Sequence, residues 1–104
     1  MEKEWEQKKR IARRLGGICE GMVDLRKLAT IVLRDCKGSR QMFNANDNQI
    51  RGLTEELNEL LAQEVLCLEE IERVRVRLEA RYNELAEVIL RIFSETERAH
   101  TVIP

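Results

Sequence analysis

The second half of the chain carries an almost unbroken helical stripe, which runs from Ile50 to about Ala99. Apolar residues return there every three or four positions, and after Gly52 neither glycine nor proline interrupts them. At about 1.5 Å per residue, a helix of this length would be a rod of roughly 75 Å, which one small chain cannot surround. The stripe therefore predicts that this helix packs against other long helices, in the same chain or in a partner.

Composition agrees with an elongated helical protein. The chain has 104 residues, of which 36% are charged and 4% aromatic, with a single proline. This balance is typical of coiled coils and long-helix bundles and suffices for one domain. Three cysteines, Cys19, Cys36 and Cys67, form no C-x-x-C pair. We therefore predict no metal site, and we expect the thiols to pack as small hydrophobic groups.

The boundaries follow from the first half of the chain, which has its own seam. Apolar residues from Ile11 to Cys36 alternate spacings of four and three. The stretch from Gly38 to Asn48 is rich in Asn and predicts a loop. The prediction is thus a single domain over 1–104, with helix 1 over about 4–36, a loop over about 37–48, helix 2 over about 49–98 and a short tail over 99–104.

Both stripes are wider than two helices can bury, which predicts association. The expected fold is all-α: a long antiparallel two-helix hairpin, coiled-coil-like, that oligomerises into a helical bundle of four or more helices. An alternative is a continuous parallel coiled coil in which the Gly38–Asn48 stretch is only a stutter. The residues predicted to form the oligomer or partner interface are Ile11, Leu15, Ile18, Met22, Leu25, Val32, Leu57, Leu61, Leu68, Ile71, Leu78, Leu85, Ile89 and Ile92.

Three glycines in the first helix, Gly16, Gly17 and Gly21, are unusual for a helix interior. Each costs roughly 0.5–1 kcal/mol relative to Ala. They indicate either a weak point after Arg14 or, at Gly17 and Gly21, a smooth spot that another backbone approaches closely. The sequence leaves both interpretations open.

Charge is unevenly shared along the chain. Residues 1–51 hold twelve basic and seven acidic residues, whereas residues 52–104 hold six and twelve. Opposite halves attract, which fits a hairpin or an antiparallel dimer. In the predicted hairpin, nine basic residues would gather into a basic cluster that could engage nucleic acid or an acidic protein tail: Lys8, Lys9, Arg10, Arg13, Arg14, Arg73, Arg75, Arg77 and Arg81.

These features predict a non-catalytic scaffold or interaction subunit whose partners are itself or other helical proteins. In general character the chain resembles small helical-hairpin subunits of multi-protein complexes. No nucleotide-binding, hydrolase or metalloprotease motif occurs, so we predict no catalytic residue, cofactor or small-molecule substrate. We expect no membrane span and an intracellular location, in cytoplasm or nucleus. The last residues, Thr101–Pro104, resemble the S/T-x-I-P peptide with which microtubule plus-end trackers bind end-binding proteins.

Overall fold

The chain forms three α-helices in the computed structural model, which describes the backbone of residues 2–102 and the side chains of residues 3–96. Helix α1 covers Glu2–Val32, α2 covers Lys37–Leu61 and α3 covers Leu68–Val102. Residues 33–36 and 62–67 connect them, and no strand occurs in the described backbone. The all-α prediction is confirmed.

Successive helices of the bundle run in opposite directions. Helix α2 is antiparallel to α1, and Arg26 on α1 pairs with Asp47 on α2. Arg14 lies beside Glu79, and Gly21 beside Tyr82, so α1 and α3 run parallel to each other. Helix α3 packs against both other helices, whereas α1 and α2 touch each other least. The bundle is a rod that measures 62 × 23 × 17 Å.

One continuous core fills the space between the three helices. The seam predicted on α1 supplies one wall of it, and Leu78 on α3 has no exposed surface. Burial of one such side chain contributes roughly 1.5–3 kcal/mol. The buried apolar residues are Ile11, Leu15, Ile18, Met22, Leu25, Ala29, Leu33, Phe43, Ile50, Leu53, Leu57, Leu60, Leu61, Ile71, Val74, Leu78, Leu85 and Ile89.

The predicted loop over 37–48 is wrong, because this stretch forms the first half of α2. Phe43, Asp47 and Ile50 stand four and three residues apart and are all buried, so they continue a helical stripe. The asparagines that suggested a turn lie outside this stripe. Asn44 and Asn48 are exposed, and the side-chain amide of Asn46 donates to the Met42 carbonyl at 2.9 Å. Periodicity here outweighed the turn preference of single residues.

The predicted continuous helix over 49–98 is also wrong, since it is broken at residues 62–67. The last helical hydrogen bond of α2 runs from the backbone N–H of Ala62 to the Asn58 carbonyl, at 3.0 Å. The side chain of Val65 in this connection is 83% exposed. The break turns α3 back along α2, so the chain is neither a two-helix hairpin nor a continuous coiled coil. One small chain can therefore cover its own stripes.

The ends of the helices also differ from the prediction. Helix α1 stops at Val32 rather than near Cys36, and α3 continues to Val102, through most of the predicted tail over 99–104. The side chains of residues 97–104, including the Thr101–Pro104 peptide, lie outside the described part of the structure. All three cysteines are exposed, so the prediction that their thiols pack in the core is wrong.

Helix α1 runs without a break through its three glycines. A Cβ atom built on Gly16 or Gly17 would meet nothing within 4 Å. One built on Gly21 would collide with the Tyr82 hydroxyl and lie 2.8 Å from Tyr82 Cζ. Gly21 is therefore a point of close approach, although a side chain of α3 fills it rather than another backbone.

Candidate functional site

An ion pair between Arg26 and Asp47 ties α1 to α2. Asp47 is the one buried charged side chain among the described residues, with 7% of its surface exposed. The Arg26 Nε donates to Oδ2 at 3.0 Å and its Nη2 donates to Oδ1 at 2.8 Å, which makes the contact bidentate. Arg51, one turn along α2, approaches the same carboxylate at 3.5 Å.

The pKa of Asp47 reflects the balance between its burial and its interactions with Arg26 and Arg51. Burial opposes ionisation of the carboxyl and would raise its pKa. The hydrogen bond from Arg26 and the charges of Arg26 and Arg51 outweigh burial and hold the pKa below its ordinary value. The same hydrogen bond raises the pKa of Arg26. Asp47 is thus a carboxylate in the folded protein, and its charge is directed at its two arginine neighbours.

A groove of about 770 Å³ opens around this ion pair, and its lining residues belong to α1, α2 and the connection between them. Ala29, Leu33 and Phe43 supply apolar lining, and Thr30 and Asn44 add polar groups. Its charged lining consists of four arginines and one carboxylate, so the groove is basic. Arg34, in the first connection, and Arg40, on α2, are exposed and make no ion pair among the described side chains. The lining residues are Arg26, Ala29, Thr30, Ile31, Leu33, Arg34, Arg40, Phe43, Asn44, Asp47 and Arg51.

The charged residues of helix α2 are placed unfavourably relative to the dipole of the helix. Its first turn contains Lys37 and Arg40 and no acid, and the Cys36 side chain makes no capping hydrogen bond. Its last two turns contain Glu55, Glu56 and Glu59, and its last turn has no base. Acids near a helix N-terminus and bases near its C-terminus are the stabilising arrangement, so α2 has the opposite of what its stability alone would favour. An unfavourable placement of charges relative to the helix dipole, which no ion pair among the described residues offsets, is typical of functional surfaces.

Most of the predicted interface residues lie in the core of the single chain. Eleven of the fourteen are buried there, and only Val32, Leu68 and Ile92 keep part of their surface exposed. The three helices bury one another's stripes, which removes the reason to expect that these residues face a partner. The role of these side chains in association stays an untested prediction.

The predicted basic cluster is divided by acidic neighbours. Arg75 bonds to Glu72 and Glu79 on its own helix, and the pKa of Arg75 is raised mainly by the hydrogen bond with Glu72. Arg14 lies 3.6 Å from Glu79. The remaining members are Lys8, Lys9, Arg10 and Arg13 on α1 and Arg73, Arg77 and Arg81 on α3.

Part of the basic cluster still forms a surface on α1. Lys9, Arg10, Arg13 and Arg14 line a shallow depression of about 430 Å³ together with Glu6. The ammonium groups of Lys8 and Lys9 lie 5.9 Å and 5.4 Å from the ring centre of the exposed Trp5, within the range of cation–π attraction.

The sequence prediction did not find the groove between α1 and α2. Its residues were assigned to the end of helix 1 and to the loop, where no common surface was expected. One signal was present: Asp47 falls on the stripe of Phe43 and Ile50, where an apolar residue belongs. A charge at a core position predicts a buried partner, and Arg26 is that partner.

The described residues include no group of three or more His, Cys, Asp or Glu side chains that could hold a metal ion. Within the same part of the chain, no helix is long and apolar enough to cross a membrane. The chain matches no protein-family model, and no curated protein or solved structure is significantly similar to it. Its function must therefore be inferred from its own geometry.

Proposed function

We propose that this protein is a non-catalytic helical interaction module that docks a partner protein on the outer face of α1 and α2. We call this surface the α1–α2 face and define it by the groove residues together with Val23, Glu55 and Glu59. Three exposed thiols, Cys19, Cys36 and Cys67, suit a reducing compartment, so we propose the cytoplasm or the nucleus as its location.

The observation that carries this proposal is the charge arrangement of α2. Basic residues at its N-terminal end and acidic residues at its C-terminal end cost stability in the isolated bundle. A partner with complementary charges would offset that cost and gain orientation from it. The groove beside the basic end adds apolar surface at Ile31, whose side chain is 69% exposed, as docking sites for helices and peptides do.

Site-specific photocrosslinking in cells tests the proposal. A photoreactive amino acid replaces Asn44 in the groove, and a matched control replaces Glu84, which is exposed on α3. We expect a discrete protein adduct from position 44 that disappears when Arg34 and Arg40 are changed to Glu. Equal adducts from both positions, or an adduct that is indifferent to these charges, would show that the α1–α2 face is not the docking surface.

The basic depression on α1 supports a second candidate function, binding of nucleic acid or an acidic tail. Lys9, Arg10 and Arg13 face solvent, and Trp5 adds an aromatic surface on which a base could stack. The acidic neighbours Glu72 and Glu79 weaken this candidate, because they partly neutralise Arg14 and Arg75. We therefore rank it second.

A further inference from the structure

We infer that the occupant of the α1–α2 face is the same face of a second copy of this chain, packed antiparallel about a two-fold axis. This inference rests on the proposed function, since it names the partner of that docking surface. The juxtaposition that carries it is a single helix surface with a basic half and an acidic half. A surface of this kind is complementary to itself when one copy is reversed.

The residue spacing fits such a pair. The midpoint of α2, which covers Lys37–Leu61, is Gln49. A two-fold axis through this midpoint places Arg40 of one copy opposite Asn58 and Glu59 of the other. Arg34, in the first connection, then lies toward the same acidic end. Each copy contributes one basic half and one acidic half, so the opposite charges meet twice.

The neighbouring surface leaves room for this approach. Glu55 follows Arg51 by one helical turn and shares its face of α2. Because Arg26 lies beside Asp47 in this antiparallel pair, α1 residues near Ile18 lie level with Glu55. Gly16 and Cys19 are exposed there, and Val23 has 47% of its surface exposed. A Cβ on Gly16 would touch nothing within 4 Å, so the wall is open there. The apolar surfaces of Val23 and of the groove would be covered by the second copy.

Antiparallel packing also relieves the unfavourable charges of α2. In the pair, the positive end of one α2 dipole, with Lys37 and Arg40, lies beside the negative end of the other, with Glu55 and Glu59. Attraction between the copies thus replaces repulsion within each copy. Monomeric α2 retains the cost, and this difference favours the dimer.

Other occupants use only half of the surface. A phosphate backbone or a small anion would match the arginines but would be repelled by Glu55, Glu56 and Glu59, which lie farther along the same helix. An acidic segment of another protein matches the groove but leaves the acidic half unpaired. The second copy satisfies both halves.

A charge-swap experiment with the full chain tests the inference. One variant carries Arg34→Glu and Arg40→Glu, and the other carries Glu55→Lys and Glu59→Lys. We expect sedimentation equilibrium to give wild type twice the 12.2 kDa mass of the chain. Each variant alone should dissociate at least about tenfold more readily, and an equimolar mixture of the two should recover the dimer. Rising salt should weaken wild type and the mixture alike.

Controls separate association from folding. A matched variant, Glu84→Lys with Glu87→Lys on the exposed face of α3, changes the charge equally and should dimerise as wild type does. Circular dichroism should show unchanged helicity in all three variants, since every altered side chain is exposed.

Two results would overturn the inference: wild type that stays monomeric at low salt, or a mixture of the two charge-swap variants that fails to recover the dimer while both remain folded. If wild type is monomeric and the crosslinker at position 44 captures a different protein, the inference fails and the proposed function stands. If neither a second copy nor another protein is captured at position 44, both fail.

Discussion

The guanidinium of Arg26 holds both carboxylate oxygens of Asp47 across the interface of α1 and α2, with the shortest contact at 2.8 Å. This bidentate pair joins the two helices that otherwise touch each other least. It also neutralises the Asp47 carboxylate, so that the groove beside it remains basic through Arg34 and Arg40. The pair is therefore a structural link that leaves the charge of the groove to these two arginines.

We expect Asp47→Ala to lower the free energy of unfolding by about 1–3 kcal/mol, because it removes charge-assisted hydrogen bonds and leaves Arg26 without its partner. Chemical denaturation measures this loss. Asp35→Ala, at an exposed position in the first connection, is the matched control and should stay close to wild type. A loss at position 35 as large as that at position 47 would contradict this role of the pair.

The pH dependence of stability should contain a contribution from Asp47. Its pKa in the folded protein lies below the ordinary value of 3.8, so its stabilising effect is complete above that value and is lost as the pH falls through the folded pKa. Glu72, whose pKa is lowered mainly by its hydrogen bond with Arg75, acts in the same direction. We therefore expect wild type to lose stability in acid, and Asp47→Asn to lose less over the same range. Parallel acid curves for wild type and the variant would refute this prediction.

Substitutions of Gly16 and Gly21 by alanine should change the stability of the protein in opposite directions. Gly16→Ala should stabilise the protein by roughly 0.5–1 kcal/mol, because its Cβ meets open space in a helix interior. Gly21→Ala should destabilise it by roughly 1–2 kcal/mol, because the added methyl group displaces the Tyr82 ring. Thermal denaturation compares the two. In a Tyr82→Ala background, the Gly21→Ala change should become stabilising, and no change of sign would exclude the Tyr82 contact as the cause.

Leu78 separates folding from association. Its side chain is fully buried within one chain, so Leu78→Asp should abolish helicity rather than yield a folded monomer. Leu78→Ala should cost about 2–5 kcal/mol. Leu90→Asp on the same helix is the control, since Leu90 is 53% exposed and should tolerate the charge. Full helicity of Leu78→Asp by circular dichroism would place Leu78 at an interface between chains instead.

The second candidate function has its own test. Arg10→Glu with Arg13→Glu reverses charge in the depression on α1 and should abolish any binding of duplex or single-stranded nucleic acid. That binding should also fall steeply with salt, because released counterions drive it. Fluorescence anisotropy measures both effects. The matched control is Arg77→Glu with Arg81→Glu on α3, and equal losses from the two pairs would indicate nonspecific attraction.

The sequence indicated the seam of α1 and the all-α class, because a regular spacing of residues such as Ile11, Leu15 and Ile18 depends only on the geometry of a helix. It failed at the first connection because several asparagines suggested a turn, although Phe43 and Ile50 continued the stripe. It also failed at the break over residues 62–67, where neither glycine nor proline marks the end of a helix. Glu64, a charged residue within this stretch, interrupts the apolar stripe there.

The candidate site could not be predicted, for a related reason. Which arginines share a surface depends on where each helix begins and in which direction it runs. Because the first connection was predicted at the wrong position, the predicted pairs of neighbouring residues were wrong as well. Arg34 lies in the first connection and Arg40 in the first turn of α2, and only the position of that connection reveals that the two side chains line one groove.

An odd number of helices has a mechanical consequence. Because α1 and α3 run parallel, the polypeptide enters the bundle at one end and leaves it at the other, along a rod 62 Å long. Any segment joined before α1 would be separated from any segment joined after α3 by the length of the bundle. The α1–α2 face lies along the side of the bundle. Groups attached at the two ends of the rod and a partner bound on this face would therefore not compete for the same space.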